Sequence, residues 1–105
     1  MTALPTTSAV GAKRAGRESA DAEFLRRLGK RIRLVRVDRG LSQEQLAGTA
    51  GMSRNFVSSI ERGAHGVDVV RLRWLAMALD VPLTVLIEAS TDAVAAALST
   101  SAERG

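Results

Sequence analysis

Cysteine is absent from these 105 residues, so neither a disulfide framework nor a thiolate metal site is available. That absence alone does not separate a reducing compartment from an oxidising one. Histidine occurs once, at His65, and a lone imidazole makes no metal site. There is also no phosphate-cradling glycine loop and no clustered carboxylate pair. The expectation is a non-enzyme with no cofactor. Residues 1–12 hold no uninterrupted apolar run of the kind a signal peptide needs, and no later stretch approaches a membrane span. We therefore expect a soluble cytoplasmic protein with no membrane partner. Nothing alternates with period two over a strand's length, which predicts an all-α fold, and no internal repeat is visible.

Charge is present in plenty but unevenly. The formal net charge is +4 with a pI near 11.0, and between Arg26 and Arg39 the basic residues Arg26, Arg27, Lys30, Arg31, Arg33, Arg36 and Arg39 face one acid, Asp38. Such a face suits a polyanion, although a solvated basic helix would read the same way in isolation. The preference for arginine over lysine suggests a GC-rich bacterial genome.

One small domain is the expectation for this length. Residues 1–20 are rich in Ala, Thr, Ser and Gly and include Pro5, which predicts a flexible arm, inert or touching phosphates through Lys13, Arg14 and Arg17. The domain proper should occupy 21–89. Its first helix should run from about Asp21 or Glu23 to Arg39, with Phe24, Leu28, Ile32 and Val35 at helical spacing and Gly40 ending it. Asp68 can cap a fourth helix carrying Leu72, Leu75, Ala76 and Leu79 up to Val81, and Pro82 suits the first position of a fifth, with Leu83 and Leu86 inward. A short alanine-rich helix, Asp92 to Leu98, is the last candidate, within a tail of residues 90–105.

Between these lie two short helix patterns separated by a tight break, each opened by a serine. Ser42 can accept from the free N–H groups of the next turn while Gln45 reaches back, as a capping box requires. Leu46, Ala47 and Ala50 form a buried stripe, and Gly51 supplies the left-handed turn that a Cβ resists. Ser53 caps the next helix, which buries Val57 and Ile60 and stops at Gly63. Arg54, Asn55, Ser58 and Ser59 are left on accessible faces. Two capped helices around a glycine turn form a helix-turn-helix, and double-stranded DNA is the leading candidate ligand.

In combination these residues resemble the Xre/Cro-type helix-turn-helix regulators of bacteria and phages. The segments that carry the resemblance are IRLVR before a glycine, GLSQEQLA, MSRNFVSSIERG and LRWLAMALDVPLTVLI, in order and at family spacing, over roughly Leu28 to Ile87. Val67 and Asp68 stand where a proline-serine pair is common, and Trp74 replaces a usually polar residue. The resemblance implies a five-helix, lambda-repressor-like domain with its third helix in the major groove and its second crossing the backbone above. The chemistry of the residues agrees. Arg54 can donate two parallel hydrogen bonds to guanine O6 and N7, and the Asn55 amide can pair with adenine N7 and N6, with Ser59 one turn further on. Alternatively, Asn55 helps cap the helix and Arg54 binds only phosphate. Backbone contacts are expected from Ser42, Gln43, Ser53, Ser58, Arg62 and His65. The resemblance also pairs Arg36 with Glu61 as a structural ion pair.

A second apolar face, Val70, Trp74 and Met77, follows i, i+4, i+7 spacing on the fourth helix, away from its core stripe. With Val85 and Ile87 it predicts a two-fold homodimer, the alternative being that Trp74 folds over the edge of its own core. The expected function is a transcriptional regulator on an inverted-repeat operator. The alternative is an antitoxin or other interaction module on the same scaffold, with a protein partner held by the C-terminal tail. Repressor and activator, and restriction-modification controller and phage-type repressor, stay open.

Overall fold

The computed structural model describes residues 7–87, with side chains from Arg14 onward. Among them are five helices and no strand: α1 (Thr7–Asp38), α2 (Gln43–Ala50), α3 (Arg54–Glu61), α4 (Val69–Leu79) and α5 (Leu83–Ile87). None is long and apolar enough to cross a membrane. The candidate helix Asp92–Leu98 and the tail at 90–105 lie outside the described residues.

Local chemistry sets the helix starts. Ser42 Oγ accepts from the Gln45 N–H at 3.0 Å while Gln45 Oε1 accepts from the Ser42 N–H at 2.8 Å, which completes the capping box. Ser53 Oγ accepts from the Phe56 N–H at 3.0 Å. Asp68 accepts from the Arg71 N–H at 2.9 Å, and that backbone bond, with the Arg71 guanidinium, holds its carboxyl below the usual carboxylate range.

The helix ends share one device. At the close of α1, α2, α3 and α4 the chain turns through a left-handed residue, Gly40, Gly51, Gly63 or Asp80. The next N–H reaches back five residues: Leu41 to the Arg36 carbonyl, Met52 to Ala47, Ala64 to Ser59, and Val81 to Ala76. Asp80 is the unusual member, since only its short polar side chain makes φ 57° tolerable outside glycine. Its turn stops α4 at Leu79, two residues before the end expected from apolar spacing. The turn is braced from α1, where Arg39 donates from Nε to the Leu79 carbonyl at 3.0 Å and from Nη2 to the Asp80 carbonyl at 3.3 Å. A cation there also meets the negative end of the α4 dipole.

The core draws on all five helices, with Ile32, Leu46, Val57, Leu75, Leu79 and Leu86 fully enclosed. Two expectations for α1 need correction. Its helix begins at Thr7 and not near Asp21 or Glu23, so residues from there to Ala20 are helical. Residues 14–22 are exposed, so helix there is sustained by backbone hydrogen bonds and propensity and not by burial. Phe24 does not join the core stripe either. It is 50% exposed, while Leu25 turns inward with Leu28, Ile32 and Val35.

Gly29 marks where α1 meets α3. A Cβ built on it would lie 2.3 Å from the Ile60 carbonyl oxygen and 2.5 Å from that of Glu61, so this contact admits hydrogen alone.

Candidate nucleic-acid interface

The interface is built from the start of α3 outward. Ser53 anchors the first turn with its own hydroxyl oxygen, and Val57 and Ile60 bury the opposite face, so the helix cannot roll about its axis without opening the core. Arg54 and Asn55 then project into solvent. Among the described residues neither side chain has a hydrogen-bond partner, and Asn55 takes no part in capping.

The expected rim residues are arranged less simply. Ser42 and Ser53 use their oxygen lone pairs as caps, which leaves each O–H free to donate outward. Gln43 is half-buried, with Nε2 donating to Glu61 Oε1 at 3.0 Å, so only the remainder of its amide is available to a phosphate. Arg62 folds back over its own helix, from Nη1 to Ser58 Oγ at 2.6 Å and from Nη2 to Ser59 Oγ at 3.4 Å. Both serines therefore accept from a cation, and their hydroxyl protons point elsewhere. His65 is exposed; its Nδ1 lies 2.8 Å from the Gly66 carbonyl and its ring rests tilted against Phe56 at 5.6 Å between centroids. Since a carbonyl only accepts, that nitrogen carries the proton. The guanidinium of Arg71 sits 5.7 Å from the same Phe56 ring, so one aromatic of α3 touches both the following loop and the first turn of α4.

Behind the rim lies the ion pair. Arg36 donates from Nε to Glu61 Oε2 at 2.6 Å and from Nη2 to Oε1 at 3.0 Å, and its Nη1 takes the Leu41 carbonyl at 2.8 Å. The side chains are only 11% and 3% exposed. The Glu61 carboxylate raises the guanidinium's proton affinity against the opposing effect of burial. With Gln43 added, one network ties α1, α2 and α3 together and leaves no buried side-chain polar atom among the described residues unsatisfied.

Arg33 borders this network in a surface notch with Gln43, Ser58 and Arg62. Sequence reasoning placed Arg33 only in a basic stretch. Helical spacing alone could have singled it out, since it lies three residues before Arg36 on α1. The rest of that stretch is not one face: Arg26 and Arg27 bond to Glu23, Arg31 reaches the Val85 carbonyl at 3.4 Å, and Arg39 closes α4.

The second apolar face of α4 is present on the surface. Val70, Trp74 and Met77 are 50%, 41% and 63% exposed, and Trp74 and Met77 flank a groove against Thr49, Ala50 and Gly51 at the end of α2. Trp74 is not among the buried core residues. Val85 is exposed on α5. Ile87 lies in a different groove, between α5 and α1, so the five residues expected at one interface do not share one depression.

Comparison with known proteins completes the description. Residues 27–89 match the family described as helix-turn-helix domain. The HTH-type transcriptional regulator SlrR of Bacillus subtilis (strain 168) is 42% identical over 65 residues, which cover 61% of this chain and 43% of that protein. The chain thus spans less than half the length of this curated relative. The crystal structure of the restriction-modification controller protein C.AhdI from Aeromonas hydrophila aligns with a TM-score of 0.58 at 42% identity, over 59% of this chain and 94% of that one. That of the hypothetical transcription factor NHTF from Neisseria aligns with a TM-score of 0.60 at 34% identity, over 67% and 82% respectively.

Proposed function

Because this chain belongs to the helix-turn-helix domain family, of the Xre/Cro type, we propose that it is a transcriptional regulator that binds double-stranded DNA, with α3 in the major groove and α2 across the backbone above it. The observation that carries this reading is the start of α3. Arg54 and Asn55 are exposed and uncommitted on a helix whose cap and buried face fix its direction. Bidentate pairing of Arg54 with guanine and of Asn55 with adenine gives base readout, with Ser59 in a lesser role. Ser42, Ser53, Ser58, Gln43, Arg62 and His65 supply backbone contacts that set register without reading sequence. Arg33 joins them through the notch it shares with Arg62.

Arg54→Ala should weaken binding to the preferred duplex by about 1–3 kcal/mol and relax selectivity at one base pair per half-site. Arg62→Ala should weaken all duplexes alike. Anisotropy titrations across a panel of duplexes, first selected from a random pool, check both. Were Arg54→Ala to bind every duplex as the parent chain does, base readout by this residue would be wrong.

Two copies joined through the outward face of α4 would place two recognition helices in successive major grooves, about 34 Å apart, and call for an inverted repeat. Val70, Trp74 and Met77 support this as an exposed apolar stripe centred on the chain's one tryptophan, with Val85 at its edge. Trp74→Asp should raise the dimer dissociation constant by roughly 30-fold or more, the equivalent of a hot spot of about 2 kcal/mol. Sedimentation velocity over a concentration series reads it, and identical profiles for parent and variant would remove this face from the dimer.

A further inference from the structure

The groove between α1 and α5 is separate from both the interface and the α4 stripe. Its walls are Phe24, Leu28, Leu86 and Ile87, and its rim carries Arg27 and Arg31. Phe24 is half exposed there although it sits one helical turn before the buried Leu28. With Ile87 also exposed beside it, Phe24 makes a contiguous open apolar surface next to the core.

We infer that the occupant is the chain's own segment Asp92–Leu98, docked as a short helix over Phe24. Three observations select it. Ile87 is at once a wall of the groove and the end of α5, so the chain departs from the groove's own lip. Five Cα steps separate Ile87 from Asp92, at most about 18 Å, so the segment's start is tethered within reach of the groove. Its sequence, DAVAAAL, sets Val94 and Leu98 one helical turn apart among alanines, an apolar edge with little bulk behind it. The charges agree as well: between Ile87 and Ala102 the only ionic residues are the acids Glu88 and Asp92, and at the groove's rim Arg27 and Arg31 outnumber Glu23. The groove's volume, about 250 Å³, falls below the roughly 300–1,000 Å³ of small-molecule sites and suits inserted side chains. The docked segment braces α1 where its exposed amino-terminal part leaves the domain.

Because the chain has no cysteine, a nitroxide can be placed on the full chain at Ser99→Cys alone. Expected is a loss of most of the amide NMR intensity at Ala20, Phe24 and Ile87, restored when the nitroxide is reduced. Adding Leu98→Asp, which lies outside the domain core, should abolish that loss, as should Phe24→Ser with the remaining amide spectrum unchanged. Intensity at these three amides that is indifferent to the nitroxide overturns the inference. So does loss that appears only when spin-labelled unenriched chain is mixed with unlabelled isotope-enriched chain, since the occupant would then be a second copy.

Discussion

Replacing Glu61 with alanine should cost about 3–5 kcal/mol of folding stability, out of the roughly 5–15 kcal/mol that a small domain possesses. The loss would appear in urea melts as a lower midpoint with little change in slope. The size follows from what is left behind and not from the worth of the ion pair itself. Arg36 is almost enclosed, its charge is permanent, and two of its donors point at Glu61. Without the carboxylate a guanidinium stays buried and unpaired, and the Gln43 amide loses its acceptor too. Removing both charges, as Arg36→Leu with Glu61→Leu, should recover much of the loss. Recovery stays incomplete because the Leu41 carbonyl and Gln43 still lack partners. A Glu61→Ala midpoint equal to the parent's would mean that water pairs Arg36 as well as Glu61 does. DNA affinity should fall with stability, since the same network sets α3 against α1 and α2.

The second large effect is expected at Gly29. A methyl group there meets the Ile60 and Glu61 carbonyl oxygens at 2.3 and 2.5 Å, and backbone atoms inside a helix cannot rotate aside. Helices α1 and α3 must separate, against a core in which Ile32, Val57 and Ile60 are already fully packed. Overpacking costs typically 1–3 kcal/mol and more where backbone must move, while the helix propensity of alanine returns only about 1 kcal/mol. Gly29→Ala should therefore lower the melting temperature by more than about 10 °C, at some 4–8 °C per kcal/mol for a domain of this size. Gly16 is the control. It lies in the same helix with nothing within 4 Å of its added Cβ, so Gly16→Ala should stabilise by up to about 1 kcal/mol. If the two variants melted alike, the close approach at Gly29 would not govern the α1–α3 contact. Gly29 and Glu61 act on one joint, so their effects should not simply add.

What could be read in advance divides by distance along the chain. The caps at Ser42, Ser53 and Asp68 and the left-handed turn at Gly51 were legible because each is a hydrogen bond or torsion within a few residues. The core stripes of α2 to α4 were legible because helical spacing repeats over one or two turns. Phe24 misled for the same reason: its spacing from Leu28 is right, but α5 stands across a groove from it and leaves it half exposed. The start of α1 was misplaced because a run of Ala, Ser, Gly and charged residues has no apolar period, whether helical or not. The Arg36–Glu61 pair was reachable only through resemblance to a family, since nothing local joins residues 25 apart.

By itself the amino-acid order determined that five helices form, the caps at Ser42, Ser53 and Asp68, the turns at Gly40 and Gly51, and which side chains stand at the head of α3. Those are consequences of backbone valence and of periodicity, both complete within a single helix. Only the tertiary structure decided that Gln43 is bound to Glu61, that Arg39 closes α4, that Arg62 lies over Ser58 and Ser59, and that Ile87 belongs with Phe24 and not with Trp74. A side chain several bonds long can reach many partners in the unfolded chain. Which one it meets depends on how closely two helices approach, and here that distance is governed by a glycine in one and two carbonyl oxygens in the other.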